Sequence, residues 1–259
     1  MGERTKYTAG TFSWTDLTTP DQDGAKRFYS SLFGWDATDN PMGEGAVYST
    51  MSIGGKDVAA ISPQPQQQRD AGAPPIWNSY ITVDSADEAL QRAKGLGATV
   101  HAEAFEVMDV GRMGVVQDPQ GAYFLVWEPR RHIGASLVNV PGALTWNELA
   151  TPDMDGSAEF YSELFGWSFD RLEDSQMPYN VIKNADGRTN GGIRPAMENE
   201  PTHWLVYFGA EDIEATIGKV SELGGSKLVG PMPIGAGQIA ITQDPQGAVF
   251  ALYAGQFED

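Results

Sequence analysis

Apolar and polar positions along this chain alternate in short runs, and the runs come in a fixed order. From Phe12 to Thr18 the alternation is that of a strand, with Leu17 and Thr19 on one face and Trp14, Asp16 and Thr18 on the other. The spacing then changes to that of a helix. Phe28, Tyr29, Leu32 and Phe33 share one side, Asp21 or Asp23 supplies the N-cap, and Gly34 sits where a helix ends in a left-handed residue. Strands are predicted at Ala46 to Ile53 and Lys56 to Ser62, turning at Gly54-Gly55. After an exposed connector, Pro63 to Pro75, the order recurs. Trp77 to Val83 reads as a strand, and Ser85 and Glu88 form a capping box. The helix it opens runs through Leu90, Ala93 and Leu96 to Gly97, and strands follow at Thr99 to His101, Arg112 to Gln117 and Ala122 to Glu128.

The second half repeats the first. TPDQDGAKRFYSSLFGW at residues 19–35 returns as TPDMDGSAEFYSELFGW at residues 151–167. The turn QDPQGA at residues 117–122 returns letter for letter at residues 243–248. Duplication at this period predicts an α+β fold of four βαβββ modules paired into two domains, each with a cup. The expected bounds are residues 1–130 and 143–259, with residues 131–142 as linker.

Composition narrows the chemistry. The 259 residues include no cysteine, which excludes disulfides, thiolate catalysis and thiolate metal sites and suits a reducing cytoplasm. The formal charge of −18 repels phosphate backbones, so nucleic acid is not an expected partner. No apolar run approaches the ~20 residues of a membrane span, and the N-terminus has no secretory signal pattern. Pairing of modules within the chain makes a monomer sufficient.

With FYSSLFGW and FYSELFGW after the first strand of each half, and a D-P-x-G-A turn before each last strand, the chain resembles a tandem member of the vicinal oxygen chelate superfamily. That superfamily includes glyoxalase I, extradiol dioxygenases and bleomycin-resistance proteins, and this chain is most similar to its two-domain actinobacterial glyoxalase-like type. The resemblance implies a divalent metal held by His, Gln or Glu at four positions per domain. Here those positions match Trp14, Ala59, Asn78 and Leu125, then Trp146, Gly191, Leu205 and Ala251. Such side chains do not hold a hard cation, so no metal and no other cofactor is expected.

Strand alternation lines the first cup with Trp14, Asp16, Thr18, Asn78, Tyr80, Thr82, Tyr123, Leu125 and Trp127. It lines the second with Trp146, Glu148, Leu205, Tyr207, Val249, Ala251 and Tyr253. Aromatic walls with one carboxylate each suit a flat, largely apolar small organic molecule. Three functions stay open at this point. One is metal-independent binding for sequestration or resistance, as the binding members of the superfamily imply. Another is a metal-free enzyme of secondary metabolism using Asp16 or Glu148 as acid/base, and the last is a structural or regulatory protein with filled cups. The denser polar set favours the first cup.

Overall fold

The computed structural model describes residues 2–43, 45–172, 177–235 and 237–257. The outermost residues of the two expected domains therefore lie outside it. Four modules follow one another. The first is β1 (Phe12–Thr19), α1 (Gln22–Phe33), β2 (Asp36–Gly43), β3 (Ala46–Ile53) and β4 (Lys56–Pro63), followed by a short helix α2 (Gln66–Asp70). The second is β5 (Ile76–Thr82), α3 (Ala86–Gly95), β6 (Thr99–Val107), β7 (Gly111–Gln117) and β8 (Tyr123–Pro129). The third is β9 (Leu144–Thr151), α4 (Met154–Phe165), β10 (Ser168–Leu172), β11 (Tyr179–Lys183) and β12 (Thr189–Pro195). The fourth is β13 (His203–Gly209), α5 (Ile213–Glu222), β14 (Ser226–Ile234), β15 (Gly237–Gln243) and β16 (Val249–Gly255).

Modules join edge to edge. β1 runs antiparallel to β5 and parallel to β4, giving one eight-stranded sheet in the order β2-β3-β4-β1-β5-β8-β7-β6. The second half repeats this as β10-β11-β12-β9-β13-β16-β15-β14. Each cup is thus one face of a continuous curved sheet, not a space between two separate ones. The pairing hides what would be an open strand edge at the centre.

Local signals account for the helices. Asp21 and Asp153 accept from the backbone of Gly24 and Gly156, and Gly34 and Gly166 end the helices at φ 75° and 71°. The strands missed from sequence are β2, β10, β14 and β15, and β6 runs longer than the predicted Thr99 to His101. β2, β10 and β14 are mostly exposed and lack an alternating apolar face, whereas β6 alternates, with Val100, Ala102 and Ala104 half-buried.

The faces opposite the cups pack against each other. Ser79 on β5 donates to Asn147 on β9 at 2.7 Å, both buried, and around this point the halves exchange equivalent contacts across a seam. The repeated turns lie there. Asp118 accepts from the backbone N–H groups of Gln120 and Ala122 and, across the seam, from the Tyr161 hydroxyl at 2.8 Å. Asp244 does the same with Gln246, Ala248 and Tyr29 at 3.1 Å. Trp204 and Trp77 donate to those two tyrosine oxygens at 3.0 and 2.9 Å. Burial pushes both aspartic acids up, partly offset by these hydrogen bonds. The QDPQGA repeat is therefore more than a turn: it carries an acceptor for the opposite half. Trp35 and Trp167, the last residues of the repeated stretches, also tie across segments, donating to the carbonyls of Gly142 and Gly10 at 2.8 and 2.6 Å.

Candidate functional site

In the first cup, β1 and its two neighbours hold a carboxylate among neutral donors. Asp16 pairs laterally with Asn78 on β5 and Ala60 on β4. One of its oxygens accepts from the Asn78 amide at 2.8 Å. The other accepts from Tyr80 at 2.7 Å and Tyr48 at 3.2 Å. Trp14 donates its indole N–H to the Tyr48 hydroxyl at 2.8 Å, and Asn78 also reaches Thr18 at 3.0 Å. Asp16 is 5% exposed and, among the described residues, no cation touches it, so burial pushes its carboxyl upward more strongly than the hydrogen bonds from Asn78, Tyr80 and Tyr48 pull it down. Tyr48 and Tyr80 are pushed well up, first by burial and then by the Asp16 charge.

The second cup repeats the frame with different electrostatics. Trp146 donates to Tyr179 at 2.9 Å, and Tyr179 donates to Glu148 at 3.0 Å. Tyr207, the counterpart of Tyr80, also hydrogen-bonds Glu148. Leu205 replaces Asn78 opposite the carboxylate. The decisive change is on β12, where Arg194 stands in the register place of Ser62 and donates to Glu148 at 2.7 Å. Arg194 further grips Glu200 through two N–H groups at 2.7 and 2.6 Å. It lies inside the cup, at 5% exposure. Burial works to lower the Arg194 pKa, but Glu200 and Glu148 outweigh it and raise it; Glu200 is held below its usual range. Glu148 is thereby a counter-ion with its oxygens engaged.

Gly192 makes this frame possible. A Cβ there would stand 2.1 Å from the Tyr179 hydroxyl, whereas the first half carries Ala60 at the same register. This also fixes the hairpin alignment. Ala60 and Gly192 flank the carboxylates, one residue beyond Ala59 and Gly191. A Cβ on Gly191 would meet the Asn147 carbonyl and Phe12, on the seam side.

Other expected cup residues are placed as follows. Leu125, Trp127, Leu205, Tyr207 and Ala251 are buried. The Thr82 hydroxyl is engaged by Ser13 at 2.7 Å. Tyr123 is 44% exposed and its ring lies against His101, so it belongs to the outer end of β8. Tyr253 donates to the Gln256 carbonyl and meets the Phe257 ring edge-on. Glu128 accepts from the backbone of Ala86 at the start of α3 and pairs with Arg112. The segment between the halves is packed down as a strap: Ala135 N–H donates to Ser13, and its carbonyl accepts from Tyr7. Burial raises Tyr7 strongly. The strap also carries His132 onto Trp14 and Trp127.

Tyr48, Tyr179, Gly192 and His132 were not singled out from sequence. The signal for the tyrosines was available, since one recurs at a similar distance beyond each FGW. The cup positions do not fit the family's metal, because indole, amide and phenol groups surround Asp16, and indole, phenol, aliphatic and guanidinium groups surround Glu148. Among the described residues no group of three or more His, Cys, Asp or Glu is placed to hold a metal ion.

Comparison with known proteins places these features. The family described as Glyoxalase/Bleomycin resistance protein/Dioxygenase superfamily matches residues 11–126 and 143–252. The chain is 42% identical over 255 residues to CFP32 of Mycobacterium tuberculosis (strain CDC 1551 / Oshkosh), whose name assigns it provisionally to the glyoxylases, with 97% of each chain covered. It is 33% identical over 268 residues to the anthracycline biosynthesis protein DauV of Streptomyces sp. (strain C5), covering 96% of this chain and 94% of that one. Among solved structures, the Mn(II)-bound glyoxalase of Novosphingobium aromaticivorans superposes with TM-score 0.65 at 14% identity, over 100% of this chain and 86% of that one. At that identity the likeness speaks for the fold alone.

Proposed function

The chain belongs to the glyoxalase/bleomycin resistance protein/dioxygenase superfamily, and from that premise we propose that it is a metal-free acid/base enzyme acting on a small, flat aromatic or polycyclic molecule in its first cup. One observation carries the reading. Asp16 is buried with no cation beside it among the described residues, whereas its counterpart Glu148 is ion-paired with Arg194. A carboxyl pushed upward by burial exchanges protons nearer neutrality than an exposed one.

Asp16 takes a proton from an acidic position of the ligand and returns it at another, so the balance is an isomerisation or ring closure without loss of atoms. Tyr80 and Tyr48 steady whichever form Asp16 holds, by donating to it at 2.7 and 3.2 Å. Trp14 supplies a flat wall. The similarity to an anthracycline biosynthesis protein supports a polycyclic substrate class.

Binding without turnover is the second reading. It is favoured by how completely Asp16 is enclosed by its three donors. The test begins with native mass spectrometry of protein purified from its own host, to identify a co-purifying small molecule. With that molecule in hand, Asp16→Asn keeps the shape and removes the titrating group. An enzyme loses turnover roughly 10²-fold or more while retaining affinity. Wild-type protein that binds the molecule and returns it unchanged sinks the catalytic reading and leaves the binder.

A further inference from the structure

The strap between the halves brings one polar group to the first cup that no role so far accounts for. His132 sits edge-on to Trp14, with ring centroids 4.6 Å apart at 88°, and 5.9 Å from the Trp127 ring. Its backbone is pinned in place: the Trp127 indole donates to the His132 carbonyl at 2.9 Å, and His132 N–H donates to Val110 at 3.1 Å. Trp14 and Trp127 are both cup residues by strand alternation, so the imidazole rests on the cup's own aromatic wall. Its Nε2 is shielded from solvent and has no hydrogen-bond partner among the described residues.

The corresponding place in the second half is taken by Phe257, which meets Tyr253, the counterpart of Trp127, with centroids 5.6 Å apart. That ring has no polar atom to satisfy. The unpaired nitrogen therefore accompanies the cup whose carboxylate is free of a cation.

We propose that His132 is a ligand-binding residue of the first cup and that its Nε2 pairs with a hydroxyl group on the flat aromatic ligand. The proposal rests on the reading of that cup as the ligand site and adds a substituent to the ligand class. Burial lowers the His132 pKa, against the opposing charge of Asp57, so the ring is held towards its neutral form. A neutral imidazole presents Nε2 as donor in one tautomer and acceptor in the other. A hydroxyl satisfies either, whereas a carbonyl or an ether satisfies only one. An aliphatic side chain would suffice for packing alone, and a buried polar atom without a partner is a standing penalty that a ligand removes.

The test uses the full chain with 2-hydroxyanthraquinone and its parent anthraquinone as probes. Binding is read by tryptophan quenching, and contact by the imidazole 15N resonances of the three histidines. His132→Phe keeps a ring against Trp14 and removes the nitrogen. His132→Gln restores a donor and an acceptor, and thermal melts establish that both variants are folded. The expected result is that His132→Phe weakens the hydroxylated probe about tenfold and spares the parent. His132→Gln recovers most of the loss, and the resonance absent from His132→Phe is the one that moves in the wild type. Equal losses for both probes, no loss for either, or an unmoved His132 resonance while wild-type binding persists overturns the role of His132 and leaves the cup reading standing. If the wild type binds neither probe, the aromatic-ligand reading of the cup fails, and this proposal fails with it.

Discussion

Replacing Tyr161 with phenylalanine removes one oxygen and leaves two buried groups without a partner. Trp204 Nε1 loses its acceptor at 3.0 Å, and the Asp118 oxygen across the seam loses its donor at 2.8 Å. Trp204 is 4% exposed and Asp118 3%, so solvent does not readily replace either contact. A buried polar group left unmatched costs about 1–3 kcal/mol. Asp118 keeps the two backbone N–H groups on its other oxygen, which places its share at the low end. The expected loss is about 3 kcal/mol, read as a fall in the urea midpoint with the slope unchanged. Tyr29→Phe disconnects Trp77 and Asp244 in the same way and is expected to cost the same. The two sites share no partner, so the double variant should lose the sum to within about 0.5 kcal/mol. Losses below about 0.5 kcal/mol in both single variants would refute the view that these tyrosines fasten the halves.

Other consequences concern the cups. Arg194→Met leaves Glu148 and Glu200 facing each other without their cation and should destabilise by about 3 kcal/mol in urea titration; a neutral effect would show that the pair contributes nothing net. Gly192→Ala drives a methyl into the Tyr179 hydroxyl and should cost about 1–3 kcal/mol, while Ala60→Gly in the first half should change stability by little more than the glycine backbone penalty. Asp16 has a folded pKa above its unfolded value, so it favours the fold most fully below the unfolded value and loses that contribution as pH rises through the folded one. Wild type should therefore lose ground to Asp16→Asn between pH 4 and pH 8, and a gain over that interval would reverse the assigned sign.

The fold was readable because the inner strands and helices carry strong local signals. Phe28, Tyr29, Leu32 and Phe33 mark a helix at any alignment, and the repeated TPD…FGW fixes its place in each half. The polar strands β2 and β10 were not readable, because partner strands and not buried faces hold them. Alternation along β1 and β9 put Trp14 with Asp16 and Trp146 with Glu148 on one face, and the structure brings each pair together through a tyrosine. That tyrosine arrives from a neighbouring hairpin, and its register depends on a bulge no pattern in the sequence announces. Arg194 is legible in the sequence as a cation at the end of a strand of the second half. Its second grip on Glu200 is not, since it depends on the path of the loop after β12.

The seam has a consequence for how the two cups can differ. In a homodimer, symmetry copies every substitution, so a cation placed beside one carboxylate appears beside both. Here one chain supplies both sides, and the twofold relation has to be kept only where the halves touch. Tyr29 answers Tyr161, Asp244 answers Asp118, and Trp77 answers Trp204. On the outward faces that obligation lapses: Ser62 and Arg194 occupy one register position and share no chemistry. Covalent fusion lets one copy pair its buried carboxylate with a cation while the other holds its own among neutral donors.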